Sequence, residues 1–117
     1  MSPSFDLQVD GDRRRTGESV SGTVVVREGG RSRSLEVRLE FVEETHPYLE
    51  VAISIASGHL HTGRLEPGMA FPFTLAVPPD ALPSVRSAHG ELYWRLDARS
   101  DEMGADSHEL RRIVVDV

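Results

Sequence analysis

The 117-residue chain has no cysteine, no lysine and no asparagine, and aromatic residues make up only 6% of it. Without cysteine there is neither a disulfide frame nor a thiolate metal site, and nothing requires an oxidising compartment; a cytoplasmic location is the expectation. All 13 basic residues are arginine. GC-rich coding explains the missing lysine and asparagine together, so no function follows from them. Positive charge is outweighed by 19 acidic residues, for a net charge of -6, which argues against nucleic acid or an anionic membrane surface as the main partner. The apolar runs are far shorter than the roughly 20 residues of a spanning helix. The opening "MSPSFDLQVD" has no basic region followed by an apolar run, so neither a secretory leader nor a membrane span is expected. A 3.6-residue apolar stripe with caps is also missing from every window of a dozen residues.

What the sequence does have is alternation. Phe5, Leu7 and Val9, then Val20, Val24 and Val26 around Gly22, then Leu35, Val37, Leu39 and Phe41 recur at every second position. Leu49, Val51, Ile53 and Ile55 continue the pattern, followed by the run from Met69 to Val77, by Leu92, Trp94, Leu96 and Ala98, and by Ile113, Val115 and Val117. Each such run is a strand with one apolar face. The breakers "DGDRRRTGE", "REGGRSRS", "EPG", "PPDALPS" and "SDEMGAD" lie between them and read as turns and loops. About seven strands, each with a face to cover, predict an all-β, antiparallel two-sheet sandwich with an immunoglobulin-like layout, as one domain over residues 1–117. At this size the chain can bury roughly two-thirds of the surface it exposes when unfolded, enough for a core of its own.

The stretch "LEPGMAFPFTLAVPPDALPS", residues 65–84, sharpens the picture. Pro67 and Gly68 make a turn, and Phe71, Phe73, Leu75 and Val77 share one face of the strand that follows. Pro72 inside that strand cannot donate to a ladder, which predicts a sheet edge or a bulge there. Pro78, Pro79 and Pro83 then keep the chain extended and irregular as it changes sheets.

Together with "GESVSGTVVV" (17–26), "LPS" (82–84) and "HGELYWRLDARSD" (89–101), this stretch resembles the arrestin-like superfamily. The likeness is to a single sandwich of the arrestin N-terminal type, as also found in retromer subunits and in bacterial sporulation-control proteins. It implies a non-catalytic adaptor or scaffold fold that binds proteins. It also implies a buried aromatic at Trp94, and Gly22 and Gly90 fall at matching positions. Gly22 faces inward, where the missing side chain permits close approach or a bulge. Members of this kind carry two sandwiches joined by a hinge and the resemblance here covers one, so no interdomain clamp and no basic activation switch carries over to any residue.

Sites of chemistry are sparse. His59 and His61 in "HLH" share a face of an extended segment and would need a third ligand from His46, His89 or His108 to hold a metal; an exposed pair near a strand end is the simpler reading, and no metal or other cofactor is assigned. Asp97, Asp101, Glu102 and Asp106 cluster near a loop, but not at calcium-loop spacing, and Gly104 suits a hairpin turn. Arg13, Arg14 and Arg15 could grip a phosphate or an acidic partner, or be solvated surface. No catalytic motif with a nucleophile or a phosphate-cradling glycine loop occurs. The expectation is a protein that binds another protein through sheet edges or loops, with a homodimer through an edge strand as one form of this. The β-branched, nearly uncharged "YLEVAISIAS" is the edge in question, with Tyr48, Glu50, Ala52 and Ser54 along it. The alternative is a small-ligand or carbohydrate-binding sandwich, for which Tyr48 and Tyr93 are the outward-facing aromatics.

Overall fold

The computed structural model describes residues 2–102 and 106–117. Among these residues ten strands run in the order β1 (Ser4–Val9), β2 (Arg13–Arg15), β3 (Ser19–Glu28), β4 (Gly30–Thr45), β5 (Tyr48–Ala56), β6 (His61–Leu65), β7 (Ala70–Ala76), β8 (Val85–Ser87), β9 (Gly90–Asp101) and β10 (Ser107–Asp116). They form a three-stranded sheet, β1-β3-β7, and a seven-stranded sheet along β2-β10-β9-β4-β5, with β6 on β4 and β8 on β9. No helix is present among the described residues. None is therefore long and apolar enough to cross a membrane.

Most of the alternating residues predicted to point inward do so; Leu49 and Val51 of β5, and Val117 beyond the end of β10, are exposed instead. Phe5 and Leu7, Val20, Val24 and Val26, and Phe73 and Leu75 line the small sheet. They pack on Leu35, Val37, Leu39 and Phe41 of β4, Trp94, Leu96 and Ala98 of β9, and Ile113 and Val115 of β10. Trp94 is fully buried, its ring 5.0 Å from that of Phe41. At Gly22 the sheet closes up: a Cβ there would strike the Gln8 carbonyl oxygen and come within 2.8 Å of the Phe73 ring. Glycine is required there by crowding, because the Gln8 carbonyl oxygen first, and then the Phe73 ring, occupy the space that a side chain would need.

The three strands beyond the expected seven are β2, β6 and β8. All are short, and none has a repeated apolar face to betray it. The "RRR" segment, expected as loop, pairs in parallel with Val114, Val115 and Asp116 of β10. The "RSRS" segment, also expected as loop, is the first part of the 16-residue β4 and pairs with β6. Its backbone bonds are satisfied by ladder pairing although its side chains are polar. Pro72 lies in β7, at the edge of the small sheet, as predicted. From there residues 77–84 carry the chain to β8 in the other sheet.

Candidate functional site

Where a sandwich can accept a partner depends on which strand is left at an edge. β4 spends one side on β9. Its other side is divided, with residues 30–35 taken by β6 and residues 38–45 by β5. β5 ends the sheet path, and among the described residues its far side has no neighbour. Tyr48 is 76% exposed, and Leu49, Val51 and Ile53 are exposed as well. Glu50 is the one charged residue in the nine of β5. An exposed strand of this composition has open backbone donors and acceptors and little charge to repel another strand.

A bulge corrects the simple alternation expected here. Phe41 lies opposite Ile53 but the next residue, Val42, lies opposite Val51, so Ala52 is the extra residue. Ile53 and Ile55 therefore turn toward the core side, while Leu49 and Val51 turn to the outer face of the large sheet. The same bulge separates the predicted contact residues. Ser54 pairs with the outward Glu40, whereas Glu50 pairs with Glu43 and Tyr48 with Thr45 on the inward side. Tyr48, Glu50, Ala52 and Ser54 thus share the edge but not one face.

Next to β5, the outer face of the large sheet carries a lattice of opposite charges. Arg95 Nε donates to Glu40 Oε1 at 2.9 Å, and Arg99 Nη2 lies 3.3 Å from Glu40 Oε2. Arg99 also grips Asp97 Oδ2 at 2.6 and 3.1 Å, and His108 Nδ1 sits 3.0 Å from Asp97 Oδ1. Glu40 is 2% exposed and Asp97 1%, which is tolerable for carboxylates only because each is paired and hydrogen-bonded. Burial pulls the Arg99 guanidinium down, but its hydrogen bond to Asp97 and the charges of Asp97, Glu40 and Glu36 outweigh this and hold it above its ordinary value. Arg112 lies over the Tyr93 ring at 3.8 Å and pairs with Glu91 at 2.9 Å and Glu44 at 3.6 Å. Its modest burial lowers it less than its hydrogen bond to Glu91 and the charges of Glu91, Tyr93 and Glu44 raise it. These charges satisfy one another.

The remaining sequence-predicted residues are dispersed. Arg13 pairs with Asp116 at 3.1 Å, and Arg14 folds back to Asp10 and the Ser19 carbonyl. Arg15 is exposed and uses its backbone N–H to bind Glu18. Successive residues of a strand point to opposite faces, so the three arginines do not converge on one anion. His59 precedes β6, while His61 stacks on Phe71 at 5.0 Å with Nε2 3.2 Å from the Arg64 carbonyl. Among the described residues no three His, Cys, Asp or Glu side chains gather as a metal site would need. His46 and His89 meet at a cleft of about 350 Å³ that Glu44, Arg86, Ser87 and Glu91 also line. Asp97 belongs to the β9 lattice and not to the acidic loop, and Gly104 lies outside the described residues. Tyr93 does point to the outer face, but it is 7% exposed beneath Arg112. A sugar-stacking pair with Tyr48 is therefore not formed.

Nothing within β4 alone reveals the Glu40–Arg95–Arg99–Asp97 lattice, because carboxylates alternating with apolar residues, as in "EVRLEF", are the ordinary pattern of a water-facing surface. The available signal was the complementary alternation in "WRLDARSD", whose charges fall on the outward side of β9 with the same period.

Two sheets packed face to face, the fully buried Trp94 on β9, and a link of prolines that changes sheets define an arrestin-like β-sandwich. The chain is similar in structure to Spo0M, a sporulation control protein from Bacillus subtilis, with a TM-score of 0.71 and 22% identity over all of this chain and 50% of that one. It thus spans half the length of that structure, and the likeness establishes the fold. A β-glucosidase from Listeria innocua, solved with gluconolactone, aligns with a TM-score of 0.40 and 12% identity over 97% of this chain and 16% of its own; so distant a likeness carries no argument. No protein-family model and no curated protein matches the sequence.

Proposed function

We propose that this sandwich is a non-catalytic protein-interaction module that receives an extended segment of a partner along the free side of β5. The observation that carries the reading is a strand rich in β-branched residues, with Glu50 as its single charge, at the end of the seven-stranded sheet, with Tyr48, Leu49, Val51 and Ile53 all exposed beside its open backbone groups. Strand addition supplies main-chain hydrogen bonds for affinity and alternate side-chain contacts for specificity. The likeness in fold to a sporulation control protein supports a regulatory role over a chemical one. The charges on the adjacent sheet face are engaged with one another, which is the arrangement of a structural lattice.

Hydrogen exchange on the purified protein tests the proposal. In the monomer, the β5 amides that do not bond to β4 exchange far faster than those of β4 and β9, because nothing shields them. Uniform protection of β5, equal to that of β4, in a demonstrated monomer rules the edge out.

A further inference from the structure

Across the β4–β5 ladder Glu43 stands directly opposite Glu50. Both are exposed, and like charges so placed repel. Elsewhere on β4 each acidic neighbour is answered: Glu36 by Arg38, Glu40 by Arg95 and Arg99, Glu44 by Arg112. Neither Glu43 nor Glu50 has an ion pair among the described residues. On its other side Glu43 faces Leu92, and the nearest residues on the same side of the two strands are Phe41, Thr45, Tyr48 and Ile53, none of them charged. The one spot of uncompensated charge in this ladder thus lies on the strand whose far side is open.

A strand added at β5 would set one side chain beside Glu50 on the inward side. Its two neighbours along the chain would face the outer side, beside Leu49 and Val51. We infer that the segment received here has the pattern apolar–basic–apolar, with a lysine or arginine facing the Glu43–Glu50 pair. This rests on the reading of β5 as the binding edge and adds the chemical class of what it binds. A second copy of β5 fits poorly, because "YLEVAISIA" contains no basic residue to answer either glutamate and the chain as a whole is acidic.

Two fluorescein-labelled nine-residue peptides of alternating valine and threonine test the inference, one with lysine at its centre and one with glutamate. Fluorescence anisotropy with the full chain at low salt should show the lysine peptide binding about tenfold more tightly. That preference should shrink in 0.5 M salt, where exposed charges are screened. The double variant Glu43→Gln, Glu50→Gln should bind both peptides and lose the preference. Equal binding of the two peptides by the unaltered chain, with β5 amides protected, overturns the basic-partner inference and leaves the edge reading standing. A preference that survives in the double variant overturns it too, since the chain's overall charge would then explain it. If neither peptide binds or protects β5, the edge reading falls and this inference with it. Protection of β5 by self-association that the lysine peptide cannot displace assigns the edge to a second copy and also overturns the inference.

Discussion

The indole Nε1 of Trp94 donates a hydrogen bond to the Leu82 carbonyl oxygen at 2.8 Å, joining the centre of the core to the proline link between the sheets. The ring's apolar body packs on Phe41 while its one polar atom pins the segment that carries the chain from β7 to β8. Trp94→Ala should destabilise the domain by about 3–5 kcal/mol, a large share of a typical domain's stability. Urea denaturation followed by circular dichroism measures this. In the unaltered protein, tryptophan emission should be blue-shifted when folded and move to the red on unfolding.

Gly22→Ala should destabilise by about 1–3 kcal/mol or more, because the added methyl group has no space between the Gln8 carbonyl and the Phe73 ring. Pairing it with Phe73→Leu should recover part of the loss by freeing the space the ring edge occupies. Thermal melts of the two single variants and the double variant decide whether the sites are coupled.

Glu40→Ala should cost about 1–3 kcal/mol, since it leaves Arg95 and Arg99 without their shared acceptor. The figure lies below the 3–5 kcal/mol of a fully buried pair because both guanidinium groups reach water at their rims. Chemical denaturation of Glu40→Ala beside Arg95→Ala and the double variant gives the coupling directly.

Glu50→Gln should raise stability by about 0.2–1 kcal/mol by relieving the repulsion from Glu43. Glu44→Gln should not, because Glu44 is paired with Arg112. The gain from Glu50→Gln should fade as salt rises, which denaturation at two ionic strengths would show.

Leu49→Lys should change stability by less than about 1 kcal/mol, as expected for an exposed position on the outer face at the end of the sheet. It should nevertheless weaken uptake of the lysine-centred peptide, by placing a like charge on the edge that receives it. Anisotropy titration and a melt on the same sample separate the two effects.

Much of the fold could be read from the residues themselves. Leu35 to Phe41, Leu92 to Ala98 and Phe71 to Val77 each announced a strand and its buried side, and Pro72 announced an edge. The short strands β2, β6 and β8 could not be read this way, because ladder bonds between backbone groups leave no apolar pattern. "RSRS" reads as a loop for a similar reason, since its side chains are polar and its ladder bonds are made by the backbone. At the binding edge, the composition of "YLEVAISIAS" pointed to the right strand. Ala52 gave no local sign of the bulge that parts Ser54 from Glu50.

By itself, the sequence determined which side chains face inward on the long strands other than β5, since side-chain direction along an unbulged strand is a local, two-residue period that the stretch carries within it. Tertiary structure alone decided that β5 stands at the end of the sheet, that Glu40 is buried beneath two arginines of the neighbouring β9 and Asp97 beside His108 of β10, and that Glu43 faces Glu50. Those relations arise from pairing between distant segments. The order in which strands join is set by the packing of the whole chain and leaves no period in any one part of it.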